Sequence, residues 1–242
     1  MNLAEKLKKL MLKAQEEKRK ELKNGVYYPS LLFSCMRRTY YQYRKQKMFP
    51  EDVESILYAG TKIHEVFAQL LEQVAQEIKA EFSTEVPIRL VKPREEGNPV
   101  VISGRADDVF VLEGEETIVV ELKTTASLDR LLEKGLLPKT AHVKQLNVYL
   151  AGYPGALGIL IYIDRNTFRC VQFEVKFDSK MLIETFERAE RLHEALTSER
   201  LPPPEAKNDP EERWQCRNCP YLEECALDLD VVPENLSKSS NG

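Results

Sequence analysis

Two acids and a lysine fall where strand geometry can bring them to one point. Asp107 lies in GRADDVFVL and Glu121 in IVVELKTT, joined through Glu113-Gly114-Glu115. With those three residues as the loop, positions pair symmetrically about Gly114, which sets Asp107 across from Glu121; a four-residue loop offsets them by one. Like charges facing each other destabilise a hairpin unless a cation lies between them. Alternation puts Glu121 and Lys123 on one face and Val120 and Leu122 on the other. The set suits phosphodiester hydrolysis, in which a divalent ion lowers the pKa of water and polarises the phosphoryl oxygen while an ammonium steadies developing charge. Glu-x-Lys on a strand also fits an exposed face with a cross-strand ion pair. Asp108 is the rival to Asp107, but alternation turns it away.

His64, in GTKIHEVFAQLLE, projects with Leu57, Thr61, Ala68 and Leu71 beside an apolar stripe, while Glu65 falls with Lys62, Gln69 and Glu72 on the polar side. A histidine so placed is a hydrogen-bonded core residue or a ligand meeting the two acids. Gln145 and Tyr149 stand one helical turn apart in HVKQLNVYLAGY and share a face. Glutamine there can orient water or phosphate, and tyrosine can hold a backbone oxygen or stack a base; the alternative is polar surface beside a core tyrosine. Between Arg37 and Lys47 stand five Lys or Arg and no acid, interleaved with Tyr40, Tyr41 and Tyr43. This suits a DNA strand, and equally a solvated helix face with its tyrosines in the core.

The elements that must position these groups are readable from periodicity. Residues 2–23 and 29–47 have helical character, broken at Asn24-Gly25. A long helix spans 53–79, its stripe of Ile56, Ile63, Phe67, Leu70, Val74 and Ile78 expected to pack on a sheet. Strands are expected at 81–91, 100–103, 107–112 and 117–123, helices at 127–134 and 139–152, strands at 157–163 and 167–177, and a last helix at 178–198. Leu201-Pro202-Pro203-Pro204 marks a boundary. This order gives a mixed α/β or α+β domain with helices on both sides of a central sheet.

At 242 residues, 43% apolar and 31% charged, the chain has the makeup of an ordinary globular protein, with no run of the roughly 20 apolar residues a membrane span needs. The N-terminus has no apolar secretory core, and a cytoplasmic location is expected. The net charge of −4 does not by itself call for nucleic acid. Five cysteines, three within 216–225, one at Cys35 and one at Cys170 in an expected strand, argue against a disulfide framework and for a metal site with one cysteine left over.

Taken in order, GTKIHE, GRADDV, ELK and QLNVY resemble the PD-(D/E)xK nuclease superfamily and its RecB-like branch, over roughly residues 30–200. Cys35 in SCMRRTYY and Cys216, Cys219 and Cys225 in CRNCPYLEEC resemble the CRISPR-associated RecB-like exonucleases, family four of the adaptation proteins. Met36 departs from the proline that commonly follows the first cysteine there. The resemblance implies a restriction-endonuclease-like core at 51–200, preceded by an N-terminal helical segment at 1–50 that carries the first cysteine. An iron–sulfur lobe at 201–230 and a disordered tail at 231–242 would follow. It implies a 4Fe-4S cluster on Cys35, Cys216, Cys219 and Cys225, and Mg2+ or Mn2+ held by His64, Asp107 and Glu121 with the Leu122 carbonyl as a further ligand. Lys123 would then act on the attacking water, Gln145 and Tyr149 would line the cleft, and Arg37, Arg38 and Arg105 would contact phosphate. The expected activity is exonucleolytic cleavage of single-stranded DNA or DNA ends, trimming new spacers beside the CRISPR integrase proteins, with a homo-oligomer left open. A four-thiolate zinc site competes for the cysteines. A RecB-like repair nuclease outside CRISPR and an inactive DNA-end-binding module compete for the function.

Overall fold

The computed structural model describes residues 2–19, 21–114 and 116–230, with side chains to 227. The tail at 231–242, expected to be frayed, lies outside the described residues. The helices are α1 (Leu3–Glu17), α2 (Pro29–Leu32), α3 (Met36–Arg44), α4 (Glu51–Glu77), α5 (Leu128–Glu133), α6 (Thr140–Leu150), α7 (Ser179–Thr197), α8 (Glu205–Asn208) and α9 (Leu222–Asp230). The strands are β1 (Val26–Tyr27), β2 (Glu81–Lys92), β3 (Val100–Val111), β4 (Thr117–Thr125), β5 (Leu157–Asp164) and β6 (Cys170–Val175). No helix among the described residues is long and apolar enough to cross a membrane.

One mixed sheet runs β1-β3-β4-β5-β6, with β2 antiparallel along the other edge of β3. β3 is the pivot. Its β2 edge is paired nearly throughout, but the opposite edge is shared: β1 holds Val101 and Ile102 in parallel, and β4 holds Asp108 to Val111 antiparallel. From Glu121 onward β4 pairs with parallel β5 alone. The sheet therefore forks between β3 and β4, and the fork opens at Asp107.

Helices cover both faces. α6 and α7 close one side, Leu146 and Leu192 joining Ile102, Val109, Val119 and Leu160 of the strands, and α4 closes the other over Phe110, Val120, Leu122 and Ile163. Two expectations needed correction. The segments 100–103 and 107–112 are a single strand, because β2 templates it from Val100 to Val111; the ladder skips only Asp107 opposite Glu85, whose φ is 50°. The long helix meets the sheet through Ile63, Phe67, Leu71 and Ala75, leaving Ile56, Leu70, Val74 and Ile78 exposed. Gly60 explains the rotation. A Cβ there would lie 3.3 Å from Thr124 Oγ1, so the glycine face is the one drawn against β4, and His64 one turn later comes with it.

Candidate active site

The fork exposes a backbone donor that a continuous ladder would have used. Asp107 Oδ2 takes it, accepting the Leu122 N–H at 2.7 Å. The β3–β4 register pairs Asp108 with Val120, so Asp107 and Glu121 are the next facing positions, the spacing the three-residue loop predicts. Asp107 keeps 19% of its side chain exposed, and His64 Nδ1 stands 3.6 Å from its Oδ2. Burial holds the imidazole below its usual pKa despite the acid, so it stays neutral with a ring nitrogen able to bind a cation.

Glu121 is 1% exposed. Its Oε1 receives Lys123 Nζ and Gln145 Nε2, the latter at 2.7 Å, while its Oε2 is buried with no partner among the described residues. Burial first, and then the charge of Asp107, push its pKa up to about 8, with Lys123 pulling the other way. Burial likewise raises Asp107 against the pull of His64, Lys123 and the Leu122 N–H. Two buried acids reluctant to ionise, one with an orphan oxygen, form a site that a divalent cation would relieve.

α6 crosses above the fork and supplies the polar roof. Gln145 bridges Glu121, Lys123 (3.1 Å) and Tyr149 Oη (3.0 Å). Tyr149 fits because residue 104 is glycine; a Cβ there would lie 2.7 Å from its ring. One turn before Gln145, His142 Nδ1 lies 2.8 Å from Tyr162 Oη, which also accepts the Lys139 N–H at 2.9 Å. Tyr162 is the β5 partner of Lys123. Gly60, Gly104, His142 and Tyr162 escape a reading of the sequence: a helical glycine in GTKIHE is the one signal available, and its reason is a contact 64 residues away.

A profile of the PD-(D/E)XK nuclease superfamily matches residues 30–226, which span fork, roof and cysteines together. The chain belongs to the PD-(D/E)XK nuclease superfamily. Within it, the chain is 27% identical over 224 residues to the CRISPR-associated exonuclease Cas4 of Saccharolobus solfataricus, covering 91% of this chain and 97% of the relative. The crystal structure of SSO0001 superposes with a TM-score of 0.61 at 26% identity, over 93% and 96% of the two chains. LHK-Exo, an alkaline exonuclease from Laribacter hongkongensis, in complex with dAMP, shares the fold at a TM-score of 0.50 and 16% identity, over 85% and 95%.

In this nuclease Asp108 points away from the fork, its carboxyl buried without a partner among the described residues and pushed up to about 7 by burial and by Asp107. Arg105 is exposed and pairs with Glu85 at 3.2 Å. Arg37 and Arg38 do not reach the fork. Arg37 donates Nε to the Pro202 carbonyl at 2.6 Å, and Arg38 lines a cavity with Cys35, Cys216, Cys219 and Cys225. Both follow from α3 packing against the C-terminal segment rather than facing solvent. Gln215 accepts the Cys35 N–H at 3.0 Å, Glu205 accepts the Met36 N–H at 2.9 Å, and Tyr221 Oη donates to the Lys45 carbonyl at 2.8 Å. Cys170 stands apart and exposed on β6. Arg38 Nε is buried and unpartnered among the described residues; burial pushes its guanidinium below its usual pKa, with Cys219, Cys35, Cys216 and Glu212 pulling the other way, and the guanidinium lies 5.8 Å from the Phe49 ring centroid. As placed, no three His, Cys, Asp or Glu among the described residues converge on one metal position. The donor types nonetheless fit: four thiols beside a guanidinium with an unpartnered N–H suit an anionic cluster, and acids with a neutral histidine suit a hard divalent ion.

Proposed function

We propose that the chain is a divalent-metal-dependent exonuclease acting on single-stranded DNA or DNA ends, trimming prespacers in CRISPR adaptation beside the integrase proteins in the cytoplasm. The observation that carries the reading is Glu121, buried beside Asp107 with Lys123 and Gln145 on one oxygen and no partner among the described residues on the other. Mg2+ or Mn2+ on His64, Asp107, Glu121 and the Leu122 carbonyl would supply Lewis-acid polarisation of the phosphoryl group and a water of lowered pKa.

The remaining roles belong to the protein's own groups. Lys123 lies on the Glu121 side of the fork, where its ammonium can orient the attacking water and balance charge as the phosphorane develops. Gln145 fixes Lys123 and Glu121 at once, so the ammonium does not swing into solvent. Tyr149 completes the roof by holding the Gln145 amide in place. Cys35, Cys216, Cys219 and Cys225 would hold a 4Fe-4S cluster whose negative charge Arg38 offsets, clasping residues 1–50 and 201–230 around the core at 51–200. The 27% identity to a CRISPR-associated exonuclease supports the biological context.

The deciding experiment is degradation of end-labelled single-stranded DNA by anaerobically purified protein with Mn2+, beside Glu121→Ala and Lys123→Ala, with a visible absorption spectrum of each. Loss of cleavage in both variants, with an iron–sulfur chromophore retained, is the expected result. Cleavage indifferent to both substitutions would remove the nuclease reading and favour a DNA-end-binding module; a colourless zinc protein would remove the cluster.

A further inference from the structure

From the roof of the fork a row of unassigned side chains leads to the cysteine segment. Lys123 pairs across strands with Tyr162. The Tyr162 hydroxyl accepts the Lys139 N–H and meets His142 Nδ1. All three groups are satisfied when the hydroxyl donates to Nδ1, which leaves the imidazole proton on Nε2. Burial pushes the His142 pKa down to about 3, and its Nε2 has no partner among the described residues.

Beyond it, Lys139 Nζ lies 5.5 Å from the ring centroid of Trp214. Lys139 is in no ion pair among the described residues, and Trp214, the chain's single tryptophan, is 56% exposed. A lone exposed apolar side chain is ordinary on a protein surface. This one sits under the ammonium of Lys139, whose backbone N–H meets Tyr162 beside the catalytic lysine's strand position, and between exposed Arg213 and Arg217, neither of which is in an ion pair among the described residues. Of the three acids of the same turn, Glu212 accepts from Gln215 at 2.6 Å and Asp209 from the Glu211 N–H at 2.9 Å, while the Glu211 carboxylate is exposed.

Resting on the nuclease reading, we propose that Trp214, Lys139 and His142 form the track for the single strand next to the scissile phosphate, with a base stacked on Trp214 and phosphates held by Lys139 Nζ and His142 Nε2. The cysteine segment then contributes a DNA-binding surface of its own. Single-stranded rather than duplex DNA fits, because within a duplex each base is covered on both faces by its neighbours, whereas an unpaired base along the strand can turn a face to the indole. The row also predicts where discrimination arises: the contacts are to an aromatic face and to phosphate, so the track is tolerant of sequence.

The single tryptophan gives a site-specific readout. Full-length, cluster-loaded protein is titrated with an oligothymidylate strand in Ca2+, under which binding can be followed with cleavage suppressed, and the tryptophan emission is recorded with affinity by anisotropy. The expected result is saturable quenching by the single strand and none by a blunt duplex of equal length. Trp214→Ala should weaken single-strand binding roughly 5- to 150-fold, raising KM while leaving single-turnover cleavage at saturating DNA near wild type. Trp214→Phe, which keeps a stacking face and tests for loss of fold, should bind within a few fold of wild type. Lys139→Ala should lower the salt dependence of binding by about one phosphate's worth, a slope of ~0.7. Absence of quenching, equal quenching by duplex, or wild-type affinity in Trp214→Ala with an intact visible spectrum would overturn the track. Binding is read without cleavage, so this outcome is separate from failure of the nuclease reading, which the Lys123→Ala assay decides.

Discussion

Asp107 Oδ2 accepts the Leu122 N–H at 2.7 Å across the point where β3 and β4 part. One carboxylate thus caps the open ladder and faces the reaction space with its remaining lone pairs. Asp107→Asn retains an acceptor for Leu122 but not the charge a cation needs. It should fold with nearly unchanged stability and cleave at least on the order of 100-fold more slowly. Asp107→Ala strands the buried N–H as well, at a cost of ~1–3 kcal/mol in denaturant unfolding. Wild-type cleavage by Asp107→Asn would show that this acid is structural only.

Gln145 is the joint of the roof, touching Glu121, Lys123 and Tyr149. Gln145→Leu fills the space and frees Lys123, so single-turnover cleavage should fall roughly 10- to 100-fold. Tyr149→Phe removes one hydroxyl and should cost less than about 10-fold. Gly104→Ala should do more harm than Tyr149→Phe, since its Cβ would press the ring at 2.7 Å; overpacking of this kind costs ~1–3 kcal/mol. A reversed order of those two variants would contradict the geometry.

The buried acids make stability depend on pH in a definite direction. Glu121 rises from 4.5 to about 8 and Asp108 from 3.8 to about 7 on folding. Between those limits the folded state binds more protons than the unfolded one, so metal-free protein should lose stability as pH rises from about 4 to 8. A divalent ion binds the ionised acids and expels their protons. The rise in Tm on adding Mn2+ should therefore be larger at pH 8 than at pH 6, and Glu121→Gln should shrink that difference to what Asp107 contributes. Asp108→Asn should flatten the metal-free slope below pH 7 while leaving the Mn2+ shift in place, because Asp108 faces away from the fork. Thermal melts at several pH values, with and without Mn2+, measure all of this; a metal shift independent of pH would remove Glu121 from the site.

Arg38 tests the cysteine cavity separately from the chemistry at the fork. Cys219→Ser should lose the visible chromophore and lower Tm, because Cys35 and Cys219 would no longer be joined across the chain's ends. Arg38→Met keeps the apolar stem and all four thiols but removes the cation beside them. Its spectrum should persist while its reduction potential moves negative, since the more negative reduced cluster loses its compensating charge. An unchanged potential would mean that Arg38 serves the packing of α3 alone.

The sequence by itself determined the local terms of this protein. Alternation on β4 set Glu121 with Lys123, the Glu-Gly-Glu loop set the register that faces Asp107 toward Glu121, and i,i+4 spacing joined Gln145 to Tyr149, because strand and helix periods are fixed by backbone geometry. Long-range contacts were decided only by tertiary structure. Nothing local says that β3 shares one edge between β1 and β4, which is what frees the Leu122 N–H for Asp107. The rotation of α4 about Gly60, bringing His64 to Asp107 and leaving Leu70 and Val74 exposed, depends on Thr124 across the sheet. Arg37 and Arg38 read as solvent-facing cations until α3 docks on the Pro202–Tyr221 segment, which buries Arg37 and turns Arg38 into the cysteine cavity. Each of these turns on which surface meets which, and a hydrophobic period shows that a face is apolar without saying what covers it.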